Sequence, residues 1–145
     1  MSDGYKDRFS GLTRLYGESG LTSLHSAHVA VIGIGGVGSW SAEALARSGI
    51  GEITLVDLDD VCITNTNRQL HALSSTVGQS KVRVMAKRIE EINPLCTLHP
   101  EECFLTDKTV DSILDRPLDG VIDAIDPVRP KCLLLAECSQ RKIPV

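Results

Sequence analysis

The sequence has 145 residues, close to the commonest size of a single domain. With 42% apolar and 23% charged residues it can bury a core, which excludes wholesale disorder, and its five aromatics leave that core to Ile, Val, Leu and Ala. Net charge is −4, from 15 basic and 19 acidic side chains, so no global cationic field attracts nucleic acid; a local basic patch keeps an RNA substrate open.

Residues 1–27 read as an amino-terminal arm punctuated by Gly4, Gly11, Gly17 and Gly20, with short helices at Leu12–Tyr16 and Gly20–His25. His28–Gly33 is an apolar run that predicts a buried strand. Trp40–Ser48 has helical character and stops at Gly49 and Gly51, and Glu52–Asp57 is a second strand of β-branched type. Residues 58–77 form a long polar connection with a short helix expected near Asn67–Ala72; such connections usually carry function. Val82, Met85, Ala86, Ile89 and Ile92 line one side of an amphipathic helix over Gln79–Ile92, ended by Asn93-Pro94. Then come a strand at Cys96–His99, a helix at Lys108–Leu114, a strand at Gly120–Ala124 and a helix at Pro130–Arg141. Ile143-Pro144-Val145 reads as the opening of a fifth strand, so a piece of a longer protein is expected. Alternation of strands and helices predicts an α/β fold: a Rossmann-like, doubly wound, mainly parallel sheet with helices on both faces and right-handed crossovers, over residues 28–145.

No apolar run approaches the ~20 residues of a membrane span, and the amino terminus has no signal-peptide pattern. Five cysteines without a C-x-x-C pair argue against a disulfide framework and a short-spaced zinc site, and a reducing cytoplasm fits them. They read as structural rather than nucleophilic. His25 and His28 on the arm side, and His71 and His99 further on, carry no visible constellation.

The sharpest motif is Gly33-Ile34-Gly35-Gly36-Val37-Gly38, between a strand and a helix. Gly33, Gly35, Gly36 and Gly38 suit a tight turn in which a phosphate approaches backbone N–H groups at a helix amino terminus. Asp57 follows Gly38 by 19 residues, at the carboxyl end of the next strand, where a carboxylate can accept ribose hydroxyls. A dinucleotide such as NAD and a mononucleotide such as ATP both fit so far. The polar stretch after Asp57 bears on that choice. Thr64, Asn65, Asn67 and Arg68 leave the strand end, and Lys81 opens the next helix. Cations there suit the outer phosphates of a triphosphate undergoing nucleotidyl transfer, whereas a nicotinamide site has no use for them; singly, either is an ordinary surface side chain. Asp126, just past the fourth strand, offers oxygen for Mg²⁺, and Asp123 is placed to cap.

Arg8–Gly17, Gly33–Ser41, Asp57–Gln69, Val77–Lys81 and Asp123–Lys131 together resemble the ThiF/MoeB/HesA adenylating superfamily, which includes the ubiquitin-activating enzymes, and within it the tRNA threonylcarbamoyladenosine dehydratases. The resemblance implies ATP and Mg²⁺: the glycine loop would hold the nucleotide, Asp57 the ribose, and Asp126 the metal. Thr64, Asn65, Arg68 and Lys81 would surround the phosphates. Arg14 matches a family arginine that reaches into a partner subunit's ATP site, which implies a homodimer; a solvated arm residue is the plain alternative. Adenylation of the threonylcarbamoyl carboxylate on a tRNA adenosine, followed by ring closure, is the activity implied. Adenylation of a ubiquitin-like sulfur carrier's carboxyl terminus is the near rival, with an NAD-dependent oxidoreductase or a non-catalytic nucleotide-binding module as the alternatives from other classes.

Overall fold

The computed structural model describes residues 3–145; the first two residues of the arm lie outside them. The β-branched runs form four parallel strands among the described residues: β1 (His28–Ile32), β2 (Glu52–Val56), β3 (Thr97–Glu101) and β4 (Gly120–Asp123), in the spatial order β3-β2-β1-β4. Six α-helices accompany them: α1 (Asp3–Phe9), α2 (Thr13–Ser26), α3 (Gly38–Arg47), α4 (Lys81–Ile92), α5 (Val110–Leu114) and α6 (Val128–Arg141).

Strand alternation sends Val31, Ile53 and Leu55 to one face, where they meet Ala42 and Ala46 of α3 and Val82, Met85 and Ile89 of α4. Ala30, Ile32 and Val56 point to the other, against Val110 and Ile113 of α5 and Leu134 and Cys138 of α6. The chain runs β1, β2, β3 outward on one side and then crosses back to place β4 beside β1. The strand order therefore reverses at β1, and the carboxyl ends of β1 and β4 flank the crevice where doubly wound sheets bind ligands.

Two ties lock the outer layers. Glu43 of α3 is buried and accepts from Arg88 of α4 at 2.5 Å and from Arg47 at 2.7 Å. At the amino end, Tyr5, Phe9 and Leu21 form a small core of their own, and the buried Tyr5 hydroxyl donates to the Gly49 carbonyl at 2.5 Å. Gly49 has φ +77° and a Cβ there would lie 2.6 Å from the Tyr5 hydroxyl, so a glycine is required.

Several local expectations change. The two short arm helices are the halves of α2, broken at Gly17 (φ 70°), and α1 precedes them. No helix forms over Asn67–Ala72; a 3-10 turn stands at Ile63–Asn65 instead. Helical bonding is displaced because α3 takes the backbone groups: the Trp40 indole donates to the Arg68 carbonyl at 3.0 Å, and the Leu70 N–H donates to Ser39 Oγ at 3.2 Å. β3 starts at Thr97 and runs through Pro100 to Glu101. Thr97 N–H donates to the Gly51 carbonyl and Asp57 N–H to the Glu101 carbonyl, so the odd positions bond β2 and Pro100 turns its missing donor to the outer edge. Residues 143–145 form no strand, but the Pro144 carbonyl accepts from Val121 N–H at 2.8 Å beside β4.

Candidate functional site

The β1–α3 turn is held from both sides. Ile34 N–H donates to Asp57 Oδ2 at 2.7 Å, and the Ile34 carbonyl accepts from His71 Nε2 at 2.8 Å. Since the carbonyl only accepts, His71 carries its proton on Nε2, and burial lowers its pKa more than this bond raises it, so the ring is neutral. Asp57 Oδ1 also accepts from Asp59 N–H at 2.8 Å. Clamped this way, the turn leaves the N–H groups of Gly35, Gly36, Val37 and Gly38 without a protein acceptor among the described residues. Those of Gly35, Gly36 and Val37 belong to residues lining a concavity at the amino end of α3, the arrangement of free donors that suits an anion.

The glycines have separate jobs. Gly33 has φ +92°, and a Cβ on it would lie 2.6 Å from the Ala124 carbonyl oxygen. A Cβ on Gly38 would stand 1.7 Å from the Gly33 oxygen, so this position packs the turn and does not line the crevice. At Gly36 a Cβ would meet nothing closer than Arg68 Cγ at 3.5 Å: the protein leaves that space open.

The concavity opens into a crevice of about 1000 Å³ between the carboxyl ends of β1, β2 and β4. Gly33, Gly35, Gly36, Asp57, Asn65, Arg68, Lys81 and Asp126 all line it. Lys81, only 6% exposed, stands at the start of α4 and donates from Nζ to Asp59 Oδ2 at 3.0 Å. Arg68 is exposed, lies over Gly36, and donates from Nη1 to Asn67 Oδ1 at 2.9 Å. Asn65 is buried, accepts from Cys62 N–H at 2.9 Å and keeps its amide donors for the crevice. The Asp126 carboxylate is exposed on the opposite wall and enters no hydrogen bond or ion pair among the described residues. Asp123 is engaged instead: it accepts from Ile125 N–H at 3.1 Å and from Lys131 Nζ at 2.5 Å.

Thr64 and Arg14 lie away from the lining. The Thr64 hydroxyl donates to Cys62 Sγ at 3.1 Å, and Arg14 is exposed on the first turn of α2. Sequence reasoning passed over Gln69 and Arg129. Gln69 lines the crevice, 7% exposed, with its Oε1 unpartnered among the described residues; Arg129 faces Asp107 at 4.0 Å across the mouth. Gln69 adjoins Arg68 in the chain, the one signal that could have found it; Arg129 gave no signal beyond its place at the start of a helix. All five cysteines are free, and burial together with Glu52 pushes the Cys96 thiol up to about 12, far from a thiolate at neutral pH.

A profile of the ThiF family matches residues 9–145. The chain belongs to the ThiF family. It is 54% identical over 145 residues to the tRNA threonylcarbamoyladenosine dehydratase of Escherichia coli (strain K12), covering 100% of this chain and 54% of that protein. The Molybdopterin-synthase adenylyltransferase of Salmonella typhimurium (strain LT2) is 35% identical over 126 residues, 87% of this chain and 50% of that one. Among solved structures, that of the E. coli tRNA N6-threonylcarbamoyladenosine dehydratase in complex with ATP superposes with a TM-score of 0.96 at 55% identity, covering 99% of this chain and 59% of that chain. This ThiF chain therefore spans about half the length of the curated relatives it matches. Among the described residues no helix is long and apolar enough to cross a membrane.

Proposed function

We propose that this ThiF chain carries the ATP site of an enzyme that adenylates a carboxylate, the threonylcarbamoyl group of tRNA N6-threonylcarbamoyladenosine. Residues 28–145 are read as the adenylation domain and 1–27 as the arm. The observation that carries this reading is the convergence of Lys81 and Arg68 on a crevice lined by Gly35, Gly36 and Val37, whose N–H groups have no acceptor among the described residues. The N–H groups would take a phosphate, and Asp57 the ribose hydroxyls through the lone pairs that Ile34 and Asp59 leave over. Asn65, Arg68 and Lys81 would take the outer phosphates. As the carboxylate attacks the α-phosphorus, pyrophosphate departs, and Arg68 and Lys81 offset the charge growing on it. The AMP ester makes a good leaving group, so an internal nucleophile of the same modified base can close the ring on the activated carbonyl. The unengaged Asp126 carboxylate fits a magnesium ion, which when bound supplies charge neutralisation at the phosphates. Arg14, outside this chain's own crevice, is assigned to the site of a second copy in a homodimer. Five free thiols suit a reducing cytoplasm.

Replacing Lys81 by Met, or Arg68 by Ala, should weaken ATP by ~10–100-fold, the loss of one charge-assisted bond, and AMP by less than about threefold. Equal losses for both nucleotides, by calorimetric titration, would refute the phosphate role. Tight NAD binding without ATP binding would overturn the adenylation reading. The similarity to a molybdopterin-synthase adenylyltransferase favours one second reading, adenylation of a small carrier protein's carboxyl terminus. ATP–pyrophosphate exchange in the full-length protein, stimulated by modified tRNA and not by a carrier, selects the first; the reverse selects the second.

A further inference from the structure

At the amino end of the sheet, away from the crevice, three side chains from three adjacent strands meet on the α5/α6 face. His28 and Glu52 are paired in the register of β1 and β2, and His99 of β3 lies opposite Thr54, two residues on from Glu52. One ligand atom from each of His28, Glu52 and His99 lies within 4.8 Å of the other two. Five residues of strand separate His28 from Gly33, roughly 15 Å, so the cluster is no part of the nucleotide crevice.

His28 is the telling member. It is 3% exposed, and its Nδ1 is buried with no hydrogen-bond partner among the described residues, 3.5 Å from Glu52 Oε1. Its Nε2 is 2.8 Å from the buried Thr54 hydroxyl, which also receives Arg116 Nη1 at 3.4 Å. In the tautomer whose Nε2–H donates to Thr54, the Nδ1 lone pair faces the Glu52 carboxylate, and a cation between these two electron-rich atoms would join them. Two ligands at ~2.0–2.1 Å from one tetrahedral ion stand ~3.4 Å apart, the spacing His28 and Glu52 already have. His99 Nε2 lies 2.7 Å from the same Glu52 oxygen, and its side chain is one-third exposed. The charge around the cluster is balanced: Arg116 pairs with Glu101, and Asp119 accepts from His28 N–H at 2.8 Å.

We propose that His28, Glu52 and His99 form a second site, a His/His/Glu centre for a borderline divalent metal of the zinc type, with water in the fourth position. The donor set is that of zinc centres with an open position, and imidazole with carboxylate selects zinc over magnesium. The second-strand hydroxyl of Thr54 is placed to accept from His28 Nε2–H when Nδ1 holds the ion, as the outer hydrogen-bond partners of metal-bound histidines do.

The test is titration of the intact chain with Zn²⁺ alone by calorimetry, and with Co²⁺ alone by visible absorption. One ion per chain is expected, with the d–d bands of a tetrahedral N/O site and no sulfur charge-transfer band. The Glu52→Gln and His99→Ala variants, both at partly exposed positions, should bind Zn²⁺ more than ~100-fold more weakly, beyond the ~10–100-fold of losing an outer-shell partner. Circular dichroism confirms their fold, and unchanged ATP binding separates this site from the crevice. Absent stoichiometric binding, affinity indifferent to both variants, or a cobalt–thiolate band pointing to the cysteines would each overturn the proposal.

Discussion

Alanine at Gly36 and alanine at Gly38 add the same methyl group two residues apart, and the structure assigns them opposite consequences. At Gly38 the Cβ would lie 1.7 Å from the Gly33 carbonyl oxygen and 2.9 Å from its carbon, both backbone atoms of a turn pinned by Asp57 and His71. Relief requires α3 to move off the sheet, so the cost sits at or above the top of the ~1–3 kcal/mol range for overpacking, a fall in Tm of roughly 6–12 °C. At Gly36, φ is not in the left-handed region and the nearest atoms are Arg68 Cγ and Cδ at 3.5 and 3.6 Å. Gly36→Ala should therefore leave Tm unchanged or raise it, since a compatible alanine narrows the unfolded ensemble by ~0.4–1 kcal/mol. Its methyl group would nonetheless occupy the open face above the N–H groups. Losing one or two bonds to a charged phosphate weakens ATP by roughly 10–100-fold. Thermal denaturation and ATP calorimetry on the two variants decide the matter. A Gly36→Ala protein that binds ATP as tightly as the parent would refute the claim that a phosphate approaches this turn.

Other outcomes follow from the ties between layers. For Glu43, burial pushes the carboxyl pKa up, but the bonds from Arg88 and Arg47 outweigh it and hold the group below its ordinary value. A depressed folded pKa contributes stability that is present above the ordinary value of about 4.3 and is lost as pH falls through the folded value. Denaturant unfolding of Glu43→Gln should show a loss of about 1–3 kcal/mol at pH 7, less than for a fully buried pair because both arginines keep access to water. The same variant should have a flatter stability profile below about pH 4. Tyr5→Phe leaves the buried Gly49 carbonyl without its donor and should cost about 1–3 kcal/mol by the same measurement, with ATP affinity unchanged.

Most of the scaffold was readable because its signals are local. The 3.6-residue spacing of Val82, Met85, Ala86 and Ile89 gave α4, and the glycine loop with Asp57 located the crevice before any coordinates. What escaped reading depends on partners distant in sequence. Asn67–Ala72 has the composition of a short helix, yet Trp40 and Ser39, about thirty residues upstream, claim its backbone. His28 and His99 looked unrelated because 71 residues separate them, and only the sheet register brings them to one carboxylate. Thr64 was grouped with its neighbours Asn65 and Arg68, but the 3-10 turn rotates it toward Cys62 instead.

The proline in β3 has a bearing on the protein's behaviour in a crowded cell. An unsaturated flank of a sheet is a template on which foreign segments can line up, the first step toward fibrous deposits. Here Pro100 removes one rung from that template, which weakens lateral recruitment at β3. On the β4 side the Pro144 carbonyl already accepts from Val121 N–H, so that flank has begun to pair with the residues that follow α6.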